Sequence, residues 1–125
     1  RSFIFSTSLS PVSMAAATQG IRLIMEQPQR VQRLQENIRD CCEALCARCI
    51  DAHSETAIIP IIIGDESRAM RVMELLKERG YYISAIRYPT VAKGTARLRL
   101  ALMSSHTREE LEGLADALKE CMGME

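Results

Sequence analysis

Residues 95–103 constrain this chain most. Leu98, Leu100 and Leu102 fall on one side of an extended backbone; Arg97, Arg99 and Ala101 fall on the other. Successive side chains of a strand point to opposite faces, so this period of two predicts a strand with one buried face. A strand needs partners, and the sequence supplies them. Residues 57–63 are rich in isoleucine, and β-branched side chains favour the pleated surface of a sheet. Pro60 interrupts that run. It has no N–H for the ladder and marks an edge or a bulge.

The remaining pattern completes a layer. Gly64-Asp65 ends the first strand, and Asp65 is placed to cap a helix buried through Ala69, Val72, Met73 and Leu76. Gly80 closes that helix as a C-terminal cap. Residues 81–87 read as a strand and residues 88–94 as a loop with turn residues. Thr107 and Glu110 form a T-x-x-E capping box ahead of a last helix lined by Leu111, Leu114, Ala115 and Leu118. The order β-α-β-β-α predicts an α+β layer, with helices on one face of a small, largely antiparallel sheet.

Upstream, Phe3-Ile4-Phe5 suits a buried strand, and Ser10-Pro11 is a good helix start. Val12, Ala16, Gly20 and Leu23 share one face of that helix. Pro28 breaks the pattern. Val31, Leu34, Ile38, Cys41, Leu45 and Cys49 then recur at steps of three and four, the signature of an amphipathic helix. The expected organisation is a strand within residues 1–10, linking helices over 11–50 and a small α+β domain over 51–125. The chain opens on Arg1, without methionine and inside a strand pattern, so a piece of a longer protein is expected.

Sixteen basic residues balance sixteen acidic ones. Nucleic-acid affinity rests on phosphate neutralisation and usually shows as a basic excess, which is missing. No apolar run approaches a bilayer span. Five cysteines, an odd count with four packed into nine residues, argue against a secreted disulfide framework and for a reducing cytoplasm.

Four places could carry chemistry. Arg97 and Arg99 share a face of an otherwise apolar strand, and a guanidinium fork matches a carboxylate; from pattern alone a solvated face or an internal ion pair is the favoured reading, since structural ion pairs are common. The loop over 87–94, with Thr90, could wall a site or merely connect two strands. Cys46-x-x-Cys49 invites a metal or redox reading, but it sits late in a helix, where the dipole disfavours thiolate, and no second pair supplies four ligands. Small core cysteines are the expectation, with no metal. Ser6 and Thr7, between a strand and a helix start, could bind phosphate or simply cap. His53 and His106 read as structural.

Three stretches carry a resemblance. Residues 1–11, RSFIFSTSLSP, residues 59–65, IPIIIGD, and residues 85–100, AIRYPTVAKGTARLRL, ending near Ser105-His106-Thr107, together resemble the α-oxoamine synthase family. These enzymes use pyridoxal phosphate to condense an amino acid with an acyl-CoA, losing CO2. The likeness is weakest over 27–55, where the cysteine cluster is no family feature. It implies the small C-terminal domain of a type I aminotransferase-like subunit, a homodimer in the full-length enzyme. It implies that Arg99 grips the substrate carboxylate, that Thr90 and its loop border the acyl pocket, and that Thr7 with Ser6 reaches a cofactor phosphate. Arg97 stays structural. The subgroup expected joins alanine to a pimeloyl thioester in biotin synthesis. No lysine here sits in a cofactor context, so catalytic residues are expected outside this stretch, which alone would be inactive. The rival expectation is a non-catalytic α+β binding or assembly module derived from such an enzyme.

Overall fold

The computed structural model describes residues 8–123. The expected strand at Phe3-Ile4-Phe5 and the candidates Ser6 and Thr7 lie outside the described residues. The chain divides into two compact units, residues 1–32 and 33–125.

In the first unit, helix α1 spans Pro11–Glu26, with Pro11 in its first turn and Ser10 as N-cap. Proline suits that position because its missing N–H would have no helical partner there. None of the α1 side chains is buried; Val12 is 77% exposed and Met25 76%. The helix stops ahead of Pro28, where a broken ladder is expected. Helix α2, Gln29–Ala47, begins immediately after.

The second unit holds the rest of α2, then β1 (Ile58–Gly64), α3 (Glu66–Glu78), β2 (Ser84–Ile86), β3 (Ala96–Ala101) and α4 (Arg108–Gly123). The sheet is antiparallel in the order β1-β3-β2, with β3 central. Pro60 therefore sits on an edge strand, where its missing donor costs no inner ladder bond. A register shift between Ile62 and Gly64 adds a bulge. Helix α3 packs on all three strands and on α4. Ile59 and Ile61 of β1 and Leu98 and Leu100 of β3 meet Val72, Leu76, Leu111, Leu118, Ile38, Cys41 and Leu45 in one core. Each large aliphatic side chain buried there contributes about 1.5–3 kcal/mol. Because Ile38, Cys41 and Leu45 belong to this core, most of α2 shares the compact unit of the sheet, which begins at Arg33.

The local signals act as chemistry requires. Asp65 accepts from the Arg68 N–H at 2.8 Å, an N-cap that stabilises α3 by about 1 kcal/mol. At the other end, the Gly80 N–H reaches the Lys77 carbonyl and the Tyr81 N–H reaches the Leu76 carbonyl, with Gly80 at φ 88°. That pair of bonds is a Schellman closure, and it explains a departure from expectation. The strand expected over 81–87 contains only Ser84–Ile86, and its expected first residue, Tyr81, is used in closing α3. The capping box forms reciprocally: the Thr107 N–H donates to Glu110 Oε2 at 2.8 Å, and the Glu110 N–H to Thr107 Oγ1 at 3.3 Å. Among the described residues, no helix is long and apolar enough to cross a membrane.

Candidate functional site

The sheet has a covered face and an open one. Directly opposed residues of an antiparallel pair share a face. Ala101, Arg99 and Arg97 of β3 lie opposite Ile58, Pro60 and Ile62 of β1, and Arg99 and Arg97 lie opposite Ser84 and Ile86 of β2. The helices bury the alternate residues. The open face therefore carries two arginines among aliphatic neighbours, with Ile58 47% and Ile62 56% exposed.

Arg99 is exposed and has no hydrogen-bond or ion-pair partner among the described residues. Arg97 is half-buried, and its Nε donates to the Thr95 carbonyl at 3.1 Å. The two guanidiniums thus differ: one is tied to the backbone of its own strand end and the other is unengaged. A fork free of internal partners can receive a planar acid with two parallel hydrogen bonds.

The β2–β3 loop is built from turns. The Thr90 N–H donates to the Arg87 carbonyl at 3.0 Å, and the Thr95 hydroxyl to the Ala92 carbonyl at 2.7 Å. Lys93 Nζ sits 5.2 Å from the centre of the Tyr88 ring, a cation–π contact. Thr90 is exposed. Register places this loop next to the Ile86–Arg97 pair, with Arg99 one pleat repeat further along, about 7 Å away.

The cysteines separate into two kinds. Cys41 and Cys121 are buried core residues, as expected of small apolar side chains. Burial, with Cys42 adding to it, pushes the Cys41 thiol up to about 12, and burial also raises Cys121 and Cys42. Cys46 and Cys49 differ from that expectation: both are exposed. Cys49 is exposed because α2 ends at Ala47 and the apolar spacing runs past the helix it was read from; Cys46 lies within α2 but off the face buried through Ile38, Cys41 and Leu45. Among the described residues, no three metal-ligating side chains gather. His53 is exposed, its Nε2 3.2 Å from Asp51 Oδ1.

One residue that the sequence pattern did not single out matters here. Asn37 is the buried polar side chain of α2, and its Nδ2 donates to the carbonyls of Met103 (2.9 Å) and His106 (3.0 Å). His106 Nδ1 accepts the Met103 N–H at 3.2 Å, closing the same turn from inside. Beside that turn lies a cavity of about 380 Å³, bounded in part by Tyr81, Ile83, Leu102, His106, Glu110 and Leu114. An asparagine amid the Leu34–Ile38–Cys41 stripe was the available signal. The lysines at 77, 93 and 119 are all exposed. The described residues therefore offer no enclosed amine.

A three-stranded antiparallel sheet, helices on one face and a free guanidinium on the other, defines a small α+β layer of the kind that closes a larger fold. The chain belongs to the aminotransferase class I and II family, whose model matches residues 1–118. Over 126 residues it is 44% identical to the biotin biosynthesis bifunctional protein BioWF of Corynebacterium kroppenstedtii, covering 98% of this chain and 18% of that protein. It is 38% identical over 124 residues to the 8-amino-7-oxononanoate synthase of Alkalilimnicola ehrlichii, covering 98% of this chain and 32% of that enzyme. A serine palmitoyltransferase from S. paucimobilis, solved with a bound PLP–myriocin aldimine, superposes with a TM-score of 0.82 at 28% identity, over 94% of this chain and 30% of that one. The likeness to the α-oxoamine synthases and the α+β architecture read from the sequence both stand. The chain spans about a third or less of the length of these relatives.

Proposed function

We propose that this chain is the small-domain portion of a pyridoxal-phosphate-dependent acyltransferase, an 8-amino-7-oxononanoate synthase of biotin synthesis. The substrates in this reading are alanine and a pimeloyl thioester, condensed with loss of CO2 by a homodimer in the cytoplasm. Pyridoxal phosphate, when bound, supplies the electron sink for such carbon–carbon chemistry. Among the described residues Lys77, Lys93 and Lys119 are all exposed, and no step is assigned to them through it. Ser6 and Thr7 carry the proposed phosphate contact, and the stretch by itself is inactive.

The part given to the described residues is recognition of the acid group. The observation that carries it is Arg99, on the open sheet face and without an internal partner among the described residues. Left in water, it is a solvated surface charge. Covered by the remainder of a longer subunit, it needs an anion, because an unpaired buried charge is strongly disfavoured. The substrate carboxylate is the anion of this reading, and the Thr90 loop forms a wall of the acyl pocket.

The test uses the full-length protein. Supplied with alanine and pimeloyl-CoA, it should release CO2 and free CoA in equal amounts. Without turnover on any amino acid and acyl thioester, the assignment fails.

A further inference from the structure

The two exposed cysteines share an unusual piece of backbone. Helix α2 ends in a Schellman closure: the Ile50 N–H donates to the Leu45 carbonyl, and the Cys49 N–H to the Cys46 carbonyl, both at 3.0 Å. The position that takes the left-handed conformation in this motif is usually glycine. Here it is Cys49, at φ 63°, the one non-glycine residue with positive φ among the described residues. A cysteine stands where the backbone favours another residue, and its partner in the tight turn is also a cysteine.

The geometry suits a bond between them. A hydrogen-bonded four-residue turn holds its end Cα atoms within about 7 Å. Disulfides span Cα separations of roughly 4.4–6.8 Å. The Cys46 thiol is directed toward the segment that follows the helix, donating to the Ala52 carbonyl at 3.6 Å. Both sulfurs belong to exposed residues, open to a small reagent. Their neighbour Cys42 is less well placed. It lies one helical turn from Cys46, where Cβ atoms are about 5–6 Å apart, and a disulfide needs roughly 3.5–4.5 Å.

We propose that Cys46 and Cys49 form a dithiol site that closes reversibly to an intramolecular disulfide by exchange with a small-molecule disulfide. One cysteine attacks the reagent as its thiolate, giving up its proton to water. The reagent's S–S bond breaks, a mixed disulfide forms and half of the reagent leaves as a thiol. The second cysteine attacks the mixed disulfide and expels the other half. The protein loses two hydrogens and two electrons, and the reagent gains them as two thiols. This site is independent of the acyl-transfer reading.

The experiment treats the full-length protein with oxidised glutathione, quenches in acid and digests with trypsin. Cleavage after Arg48 separates the two cysteines. The expected product is therefore the peptide of residues 40–48 joined to that of residues 49–68, without glutathione, and separated again by dithiothreitol. The join should persist in Cys42→Ser and disappear in Cys46→Ser, where Cys49 should instead retain a glutathione adduct. Adducts alone on the unaltered protein, an absence of oxidation at both positions, or a join that survives Cys46→Ser would each overturn the proposal.

Discussion

Pro60 lies directly opposite Arg99 across the β1–β3 ladder. On the other flank, Arg99 faces Ser84 of β2. Neither neighbour carries a charge, and both are short, so among the described residues nothing pairs with the guanidinium to neutralise it. Two residues along, Arg97 is already bonded to the Thr95 carbonyl. In the proposed enzyme, Arg99→Ala should lower kcat/KM for the amino acid by about 10- to 100-fold, the worth of hydrogen bonds to a charged group. Arg99→Lys should recover only part of this, since the planar fork is lost. Arg97→Ala should change kcat/KM far less. Steady-state kinetics with varied amino acid decide it; equal losses at 97 and 99 would remove the special role of Arg99.

The sheet and its two helices were legible because their signals are local. Period-two leucines, an Asp cap, a glycine past a helix end and a T-x-x-E box each specify one short piece, and all agree. The short β2 was not legible. Tyr81, Tyr82 and Ile83 have strand-like side chains, but the Tyr81 N–H is taken by the Schellman closure and pairing with β3 begins only at Ser84. The end of α2 was missed for a related reason. Cys49 continues the apolar spacing, and nothing in a cysteine announces left-handed backbone. The site was legible only as residue chemistry. Which of the two arginines is tied down depends on the Arg97 side chain folding back to the Thr95 carbonyl two residues away, a rotamer choice that the alternating pattern does not specify. Asn37 was hidden because its partners lie 66 and 69 residues away.

The capping box makes an acid-range prediction. The Thr107 backbone N–H, then its side chain, hold the Glu110 carboxyl below its ordinary value. A carboxylate whose pKa is lowered in the folded state stabilises that state above its unfolded pKa of about 4.3. The benefit is lost as pH falls through the folded value. Glu110→Gln should therefore flatten the acid limb of stability against pH, lowering stability at neutral pH and converging on the unaltered protein as pH falls. Thr107→Ala should cost about 0.5–2 kcal/mol through loss of the cap. Urea denaturation across the acid range checks both; an unchanged acid limb in Glu110→Gln would show that the box contributes nothing.

Asn37 ties α2 to the 103–106 turn through two carbonyls, so its replacement should be felt well beyond its size. Asn37→Ala leaves both carbonyls without that donor, and about 1–3 kcal/mol of stability should go with it. Asn37→Asp is the sharper test. It brings a carboxylate oxygen against two carbonyl oxygens, which disfavours the charged form and raises the folded pKa. Its cost should thus be greatest at neutral pH and shrink as pH falls toward the raised pKa. Denaturation midpoints at two pH values measure this. An aspartate variant as stable as wild type at neutral pH would mean the turn is held by His106 alone.

The left-handed residue at the end of α2 gives the last prediction. Holding a non-glycine side chain at φ 63° costs about 1–2 kcal/mol, from the crowding of Cβ against the following carbonyl. Glycine has no such crowding, though it loses more freedom on folding, roughly 0.5–1 kcal/mol. Cys49→Gly should therefore stabilise the protein, by about 0.5–1 kcal/mol. Cys49→Ala, which keeps the Cβ, should not. The contrast isolates the backbone from the sulfur, because both variants remove the thiol. Thermal or urea unfolding of the two variants under reducing conditions is sufficient. Should alanine stabilise as much as glycine, the gain would come from losing the thiol, and Cys49 would carry no backbone cost.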